Sequence, residues 1–202
     1  MINWTIKGHL LEYEPKNHLY LVDGIVVPSV TQILKVKFGH KYDGIPEEIL
    51  NRASVKGTAV HDAIEKYCKE GIESDLLELH NFKFLQTVYG FEVVDNEVPV
   101  IVFIDGKPVC AGRLDLVLKD GDNFMLGDIK RTSKLDKEYL AYQLNIYRIG
   151  YQQCYDVPIS ALKGLHLREN VRKYINIPIN EKMSIQALKE ALNELEVNDV
   201  SI

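Results

Sequence analysis

Cysteine is scarce in this chain, and its three cysteines form no recognisable pattern. Cys68, Cys110 and Cys154 are odd in number, far apart and not arranged as metal-binding pairs. Such usage is typical of a protein from a reducing compartment and argues against a disulfide-stabilised scaffold. We therefore expect buried free thiols.

Long apolar runs are also missing. No uninterrupted apolar stretch approaches the ~20 residues that a helix needs to cross a bilayer. The Met-Ile-Asn-Trp start has no basic region followed by an apolar core, as a secretory signal would. These absences predict a cytoplasmic protein with no membrane partner.

The chain as a whole has no excess of positive charge, because its formal net charge is -5. Nucleic-acid affinity usually depends on phosphate neutralisation by Lys and Arg. Between Arg113 and Lys173, however, 11 Lys or Arg stand against 8 Asp or Glu, so this segment carries +3 and the remainder -8. A nucleic-acid site in this segment is compatible with that distribution, although an ordinary mixed-charge surface would give the same count.

Repeats, low-complexity tracts and long linkers are absent, so 202 residues with 46% hydrophobic content predict one domain, 1–202, with a sizeable core. Turn residues and period-two patterns predict an antiparallel meander over 9–27. The domain core is expected over about 29–180, and an amphipathic helix over about 181–196 would cover it.

Several elements are predicted inside the core. Ser29-Val-Thr-Gln32 matches a capping box and should begin a helix. Further helices are predicted over 46–55, 57–70, 75–88 and 137–155, and strands over 97–104, 109–118, 124–130, 161–167 and 174–179.

Charged residues on two predicted strands give the functional signal. Asp115 ends the segment Gly-Arg-Leu-Asp, and Asp128 and Lys130 close the following strand. Because side chains alternate along a strand, Asp128 and Lys130 point to the same face. Phosphodiester hydrolysis needs an activated water and neutralisation of phosphate charge, and carboxylate-bound Mg²⁺ or Mn²⁺ supplies both. Asp115 and Asp128 are therefore candidate metal ligands, and Lys130 would orient the water or stabilise the developing charge.

The acid-x-Lys pattern alone is a weak signal, because Glu14-Pro-Lys16 and Asp105-Gly-Lys107 share it. Both of these lie in predicted turns. Asp128 instead follows the apolar segment Phe-Met-Leu-Gly, where an isolated charge is costly unless it is used or paired. For the tripeptide taken alone, a strand end emerging into solvent is the alternative interpretation.

Four motifs in order resemble the RecB-like branch of the PD-(D/E)XK nuclease superfamily. The motifs are Gly57-Thr-Ala-Val-His61, Gly112-Arg-Leu-Asp115, Asp128-Ile-Lys130 and Gln143-Leu-Asn-Ile-Tyr147. The resemblance covers roughly 29–155, most of the chain. It implies an α/β fold with a restriction-endonuclease-like core, in which helices flank a central mixed sheet.

The resemblance also implies a metal centre. His61, Asp115 and Asp128 would bind Mg²⁺ or Mn²⁺ together with the backbone carbonyl of Ile129, and Asp115, Asp128 and Lys130 would be catalytic. A hydrogen-bonded packing residue is the alternative for His61. Relatives with an iron–sulfur cluster use four cysteines, so three single cysteines predict no cluster.

Other residues are assigned to DNA binding or to positioning the site. By the resemblance, Gln143 and Tyr147 have this role, and we assign Arg113 and Arg131 to it as well. Tyr147 could instead be a core residue. Glu97 resembles a glutamate of some relatives, but a solvated carboxylate at a strand start is the simpler interpretation.

The sequence thus predicts a metal-dependent deoxyribonuclease, with exonuclease action favoured over endonuclease action. It would act in recombination, repair or phage DNA processing, in the cytoplasm of a bacterium or of a phage-infected host cell. DNA is the expected partner, a recombination or single-strand-binding protein is a further candidate, and the oligomeric state stays open. The alternatives are a non-catalytic DNA-binding or recombination-partner module with a nuclease-like fold, and a metal-stabilised interaction protein.

Overall fold

The computed structural model describes residues 1–199, with all of their side chains except those of residues 42 and 196–199. The last three residues of the predicted domain, 200–202, lie outside the described residues. Within 1–199, none of the helices is both long and apolar enough to cross a membrane.

An antiparallel sheet with the strand order β1-β2-β3-β4 forms the N-terminal part of the chain. The meander predicted over 9–27 is confirmed, and an additional strand precedes it. This first strand pairs with the second along its whole length, from Ile2 opposite Tyr13 to Ile6 opposite His9. The strands are β1 (Ile2–Ile6), β2 (His9–Glu14), β3 (Leu19–Val22) and β4 (Ile25–Val27).

Helix α1 (Val30–Phe38) begins as the sequence predicts. The Gln32 backbone N–H donates to the Ser29 hydroxyl at 3.1 Å, and the Ser29 backbone N–H donates to the Gln32 side-chain carbonyl at 2.7 Å. This is the predicted capping box, and it satisfies backbone groups at the helix start. A short 3₁₀ turn, Gly39–Tyr42, follows the helix.

Helix α2 (Glu47–Glu70) is continuous over 24 residues, so the predicted division into two helices is wrong. Gly57 lowers helix propensity by about 1 kcal/mol relative to alanine, but it keeps the backbone N–H that proline would remove. The helix ends at Gly71, whose positive φ of 69° gives a left-handed cap. Helix α3 (Leu77–Tyr89) follows.

A five-stranded sheet with the order β5-β6-β7-β8-β9 forms the centre of the molecule. β7 and β8 are parallel and the other pairs are antiparallel, which confirms a mixed sheet in an α/β protein. The elements are β5 (Glu92–Ile104), β6 (Lys107–Asp120), β7 (Asn123–Lys130), α4 (Lys137–Tyr155), β8 (Ala161–Arg168), β9 (Val171–Ile177) and α5 (Glu181–Asp199).

Two apolar clusters pack around this sheet. On one face, α2 and α3 bury Ile64 and Phe82 against strand residues such as Leu116. The other cluster includes Leu140 and Leu144 of α4, and it also contains buried residues of α1, α5 and the N-terminal sheet. The N-terminal sheet is therefore packed into the same core as α4, which fixes its position beside β6.

Candidate metal centre

His61, Glu97 and Asp115 converge from three different elements. One ligand atom from each of the three side chains lies within 4.8 Å of the others. His61 Nδ1 is 3.7 Å from Glu97 Oε1 and 3.7 Å from Asp115 Oδ2. A set of one imidazole and two carboxylates is suited to a divalent cation.

Glu97 reaches this cluster because of the local geometry of β5. Its φ is +52°, a left-handed conformation that is uncommon for a residue with a side chain. Its neighbours Asn96 and Val98 pair with Leu116 and Leu114, so Glu97 lies beside Asp115 on the adjacent strand. Backbone strain of this kind is concentrated at functional sites. The interpretation of Glu97 as a solvated strand-start carboxylate is wrong, because its side chain is only 16% exposed and faces the cluster.

Asp128 and Lys130 form an ion pair next to the cluster. Lys130 Nζ is 2.5 Å from Asp128 Oδ2, and the Asp128 side chain is 1% exposed. Within the described residues, neither carboxylate oxygen of Asp128 has a well-directed hydrogen bond. A buried acceptor without such a bond is costly. Oδ2 is held by the ammonium of Lys130, so Oδ1 is the oxygen with free coordination capacity.

The backbone of Ile129 contacts both Asp115 and His61. The Ile129 N–H donates to Asp115 Oδ2 at 2.7 Å, and its carbonyl oxygen is 3.2 Å from His61 Nε2. The carbonyl predicted as a metal ligand therefore faces the predicted histidine ligand.

Burial and the neighbouring charges shift the pKa values of His61, Asp128 and Lys130. Burial opposes the charge of His61, but Asp115 and Glu97 outweigh this effect and raise the His61 pKa to about 9. Burial raises the pKa of Asp128 to about 6, although Lys130 attracts the charged form. Burial disfavours the charge of Lys130, but Asp128 and Asp115 raise its pKa. Metal-free, the site holds a proton on His61 at neutral pH.

The cluster opens into a cavity of about 470 Å³ that Gln143 and Tyr147 also line. Gln143 is 6% exposed, and its side-chain carbonyl oxygen has no hydrogen-bond partner within residues 1–199. Tyr147 lies against Gly112, where an added β-carbon would be 2.9 Å from the Tyr147 hydroxyl oxygen. Gly112, the glycine of the second motif, is thus required for close packing, whereas a β-carbon at Gly57 would meet open space.

The two predicted DNA-contacting arginines occupy different places. Arg113 lines the cavity, and its Nε is 3.4 Å from Glu97 Oε2. Arg131 instead lines a separate cavity of about 300 Å³, where its Nε is 2.6 Å from the buried Glu78 and its guanidinium also pairs with Glu169. This arrangement gives Arg131 a structural role in tying β7 to α3, and a DNA contact by Arg131 stays a prediction.

The site has a second wall that sequence reasoning did not connect with it. The N-terminal sheet and the start of α1 contribute His18, Tyr20, Ser29 and Thr31 to the cavity lining. The Ala111 N–H donates to the Pro28 carbonyl at 3.0 Å, which ties this wall to β6. Such a contact joins segments more than 80 residues apart, so no local sequence signal could have indicated it.

Comparisons with known proteins do not indicate a function for this chain. No family model and no curated protein matches the sequence. A solved structure described as the crystal structure of SSO0001 is similar with a TM-score of 0.45 and 17% sequence identity, over 83% of this chain and 75% of the other.

Proposed function

We propose that the protein is a metal-dependent deoxyribonuclease of the RecB-like PD-(D/E)XK type. The observation that carries the proposal is the convergence of His61, Glu97 and Asp115 in one cavity beside the Lys130–Asp128 ion pair. Carboxylates and an imidazole that can hold a metal ion, with a lysine beside them, are groups that can support phosphodiester hydrolysis.

The donor set fits Mg²⁺ or Mn²⁺. His61, Glu97 and Asp115 would hold the ion, with Asp128 and the Ile129 carbonyl as further ligands. Hard carboxylate oxygens suit both ions, and the imidazole nitrogen favours Mn²⁺. A bound ion would lower the pKa of a water molecule and neutralise charge on the phosphate.

Lys130 acts on the developing charge of the phosphate. Its ammonium is fixed next to Asp128, so little reorganisation is needed when negative charge accumulates. Asp128 and Asp115 raise the pKa of Lys130, so its amine stays protonated. A protonated amine can stabilise negative charge but cannot abstract a proton.

Gln143 and Arg113 position the substrate in this proposal. The unpartnered side-chain carbonyl of Gln143 can accept a hydrogen bond inside the cavity, and its amide can donate one to a phosphate oxygen. Arg113 is two residues before Asp115 on β6, so both side chains point to the same face. Its guanidinium can bind a phosphate adjacent to the one that is cleaved.

We favour exonuclease action in recombination, repair or phage DNA processing, with DNA and a recombination or single-strand-binding protein as partners. This preference follows the resemblance, because members of that family often process DNA ends. The non-catalytic DNA-binding module is the alternative.

The proposal is tested with end-labelled linear DNA and covalently closed circular DNA, each incubated with Mg²⁺, Mn²⁺ or EDTA, with Asp128→Ala alongside. Metal-dependent loss of linear DNA, absent in the variant, is the expected result. Cutting of the circle would show endonuclease action. Binding without cleavage in every metal would contradict the enzymatic proposal and favour the non-catalytic module.

A further inference from the structure

Aromatic side chains from the N-terminal part of the chain form part of the second wall of the cavity. His18, in the turn before β3, and Tyr20, on β3, line the same cavity as His61 and Asp115. Tyr13 of β2 supports them, because its ring is stacked on Tyr20 with ring centroids 4.6 Å apart. The cavity lining therefore combines charged residues with aromatic rings.

His18 is held in one orientation although it is exposed. Its Nδ1 is 3.0 Å from the Tyr13 hydroxyl oxygen, and its ring meets the Tyr13 and Tyr20 rings edge-on at centroid distances of 5.5 and 5.7 Å. Its φ of +53° is left-handed, which is uncommon for a residue with a side chain. The hydrogen bond and the two ring contacts therefore present the imidazole to the cavity in a fixed orientation.

Arg113 connects this wall with the metal cluster. Its Nε is 3.4 Å from Glu97 Oε2, and its guanidinium carbon is 5.2 Å from the centroid of the Tyr13 ring. Burial and the positive charge of Arg113 lower the pKa of His18, so the imidazole is neutral at neutral pH. The cavity thus offers, in order, metal ligands, a guanidinium and a neutral aromatic ring.

We infer that His18 contacts the base of a nucleotide next to the scissile phosphate, and that the cavity takes one DNA strand at a time. This inference rests on the proposed function and specifies its substrate. Unpaired bases stack on aromatic side chains, including histidine, while Arg binds the backbone phosphate. A base can stack on His18 only when it is unpaired, so this contact requires a single strand at the cavity.

The test measures binding and cleavage of the same oligonucleotides. Wild-type protein, His18→Ala, His18→Phe and, as a matched control, His80→Ala on an exposed part of α3 are compared by fluorescence anisotropy in Ca²⁺. The probes are a single-stranded oligonucleotide, the same strand with abasic spacers, and its blunt duplex. Cleavage of each probe is then measured in Mn²⁺, and thermal melting checks the fold of each variant.

Stacking of one base predicts that His18→Ala weakens binding of the single strand about fivefold or more, while His18→Phe and His80→Ala leave it nearly unchanged. The abasic strand should bind wild type and His18→Ala equally, and the duplex should bind wild type more weakly than the single strand. The inference would be overturned if His18→Ala lost the same affinity for the normal and the abasic strand, or if it bound both as the wild type does. Cleavage by the wild-type protein would still uphold the proposed function in that case. A wild-type protein that neither binds nor cleaves any probe would overturn both.

Discussion

Lys130 Nζ lies 2.5 Å from Asp128 Oδ2, and Lys130 lines the cavity that contains the His61, Glu97 and Asp115 cluster. The Asp128 side chain is 1% exposed, so the two charges are removed from water together. Breaking such a pair by removing one partner typically costs about 3–5 kcal/mol, because the remaining charge stays buried. Lys130, which is proposed to act in catalysis, therefore also contributes to the stability of the fold.

Replacement Lys130→Met should reduce cleavage by at least about 100-fold, as loss of a preorganised charge-stabilising group does. The free energy of unfolding of the metal-free protein should fall by a few kcal/mol, about the cost of breaking a buried pair. Urea denaturation and single-turnover cleavage measure the two effects. Lys134→Met is the matched control, because Lys134 is exposed. If Lys130→Met cuts at the wild-type rate, the role given to this lysine is wrong.

Replacement Glu97→Gln should weaken Mn²⁺ binding by about 10-fold or more, since even second-shell changes cost this much at metal sites. The variant keeps the size of the side chain and removes one carboxylate from the cluster. Glu92→Gln, at the exposed start of the same strand, is the control and should bind Mn²⁺ as the wild type does. Isothermal titration calorimetry measures both affinities, and equal affinities would show that Glu97 is no ligand.

The pH dependence of metal binding follows from His61. Its pKa is raised to about 9 from 6.5 in the metal-free protein, so this proton must leave before the imidazole can bind a cation. Mn²⁺ affinity should therefore increase as pH rises from about 6.5 to 9, and proton release should accompany binding. Calorimetric titrations in buffers of different ionisation enthalpy count the released protons. A pH-independent affinity would contradict the geometry of the cluster.

The same raised pKa affects the stability of the metal-free protein. A folded-state pKa above the unfolded value stabilises the folded state fully below pH 6.5, and this contribution is lost as pH rises through about 9. Thermal melts in EDTA across this range should show it, and added Mn²⁺ should oppose the loss.

The two motif glycines should differ in their response to alanine. At Gly112 a β-carbon would come within 2.9 Å of the Tyr147 hydroxyl oxygen and 3.0 Å of a ring carbon, and Tyr147 is 5% exposed. Gly112→Ala should cost about 1–3 kcal/mol of stability through overpacking. Gly57→Ala meets open space inside α2 and should raise stability by up to about 1 kcal/mol. Denaturant unfolding compares them, and equal stabilities would contradict the packing described.

Sequence predicted the parts of the structure that depend on local signals. The Ser29 capping box and the span Lys137–Tyr155 of α4 are present as expected, because caps and helical periodicity act within a few residues. The predicted break before Gly57 failed because packing of Val60 and Ile64 against α3 and the sheet overrides a single glycine.

The sequence predicted the site residues that belong to a motif. It missed those whose place in the site depends on strand pairing and on packing between the two sheets. His61 and Asp115 belong to motifs and lie together. Glu97 joins them through its pairing position between Asn96 and Val98, and His18 faces them from a separate sheet. The sequence around Glu97 and around His18 contains no pattern that would indicate either position.

The most direct test of the central claim is single-turnover cleavage of an end-labelled single-stranded DNA by wild-type protein and by Asp115→Asn, with Mn²⁺ and with EDTA. The account predicts cleavage by wild type in Mn²⁺, none in EDTA, and a loss of at least about 100-fold in Asp115→Asn with thermal stability retained. Cleavage that persists in EDTA, or at the wild-type rate in Asp115→Asn, would contradict a nuclease site built on His61, Glu97 and Asp115.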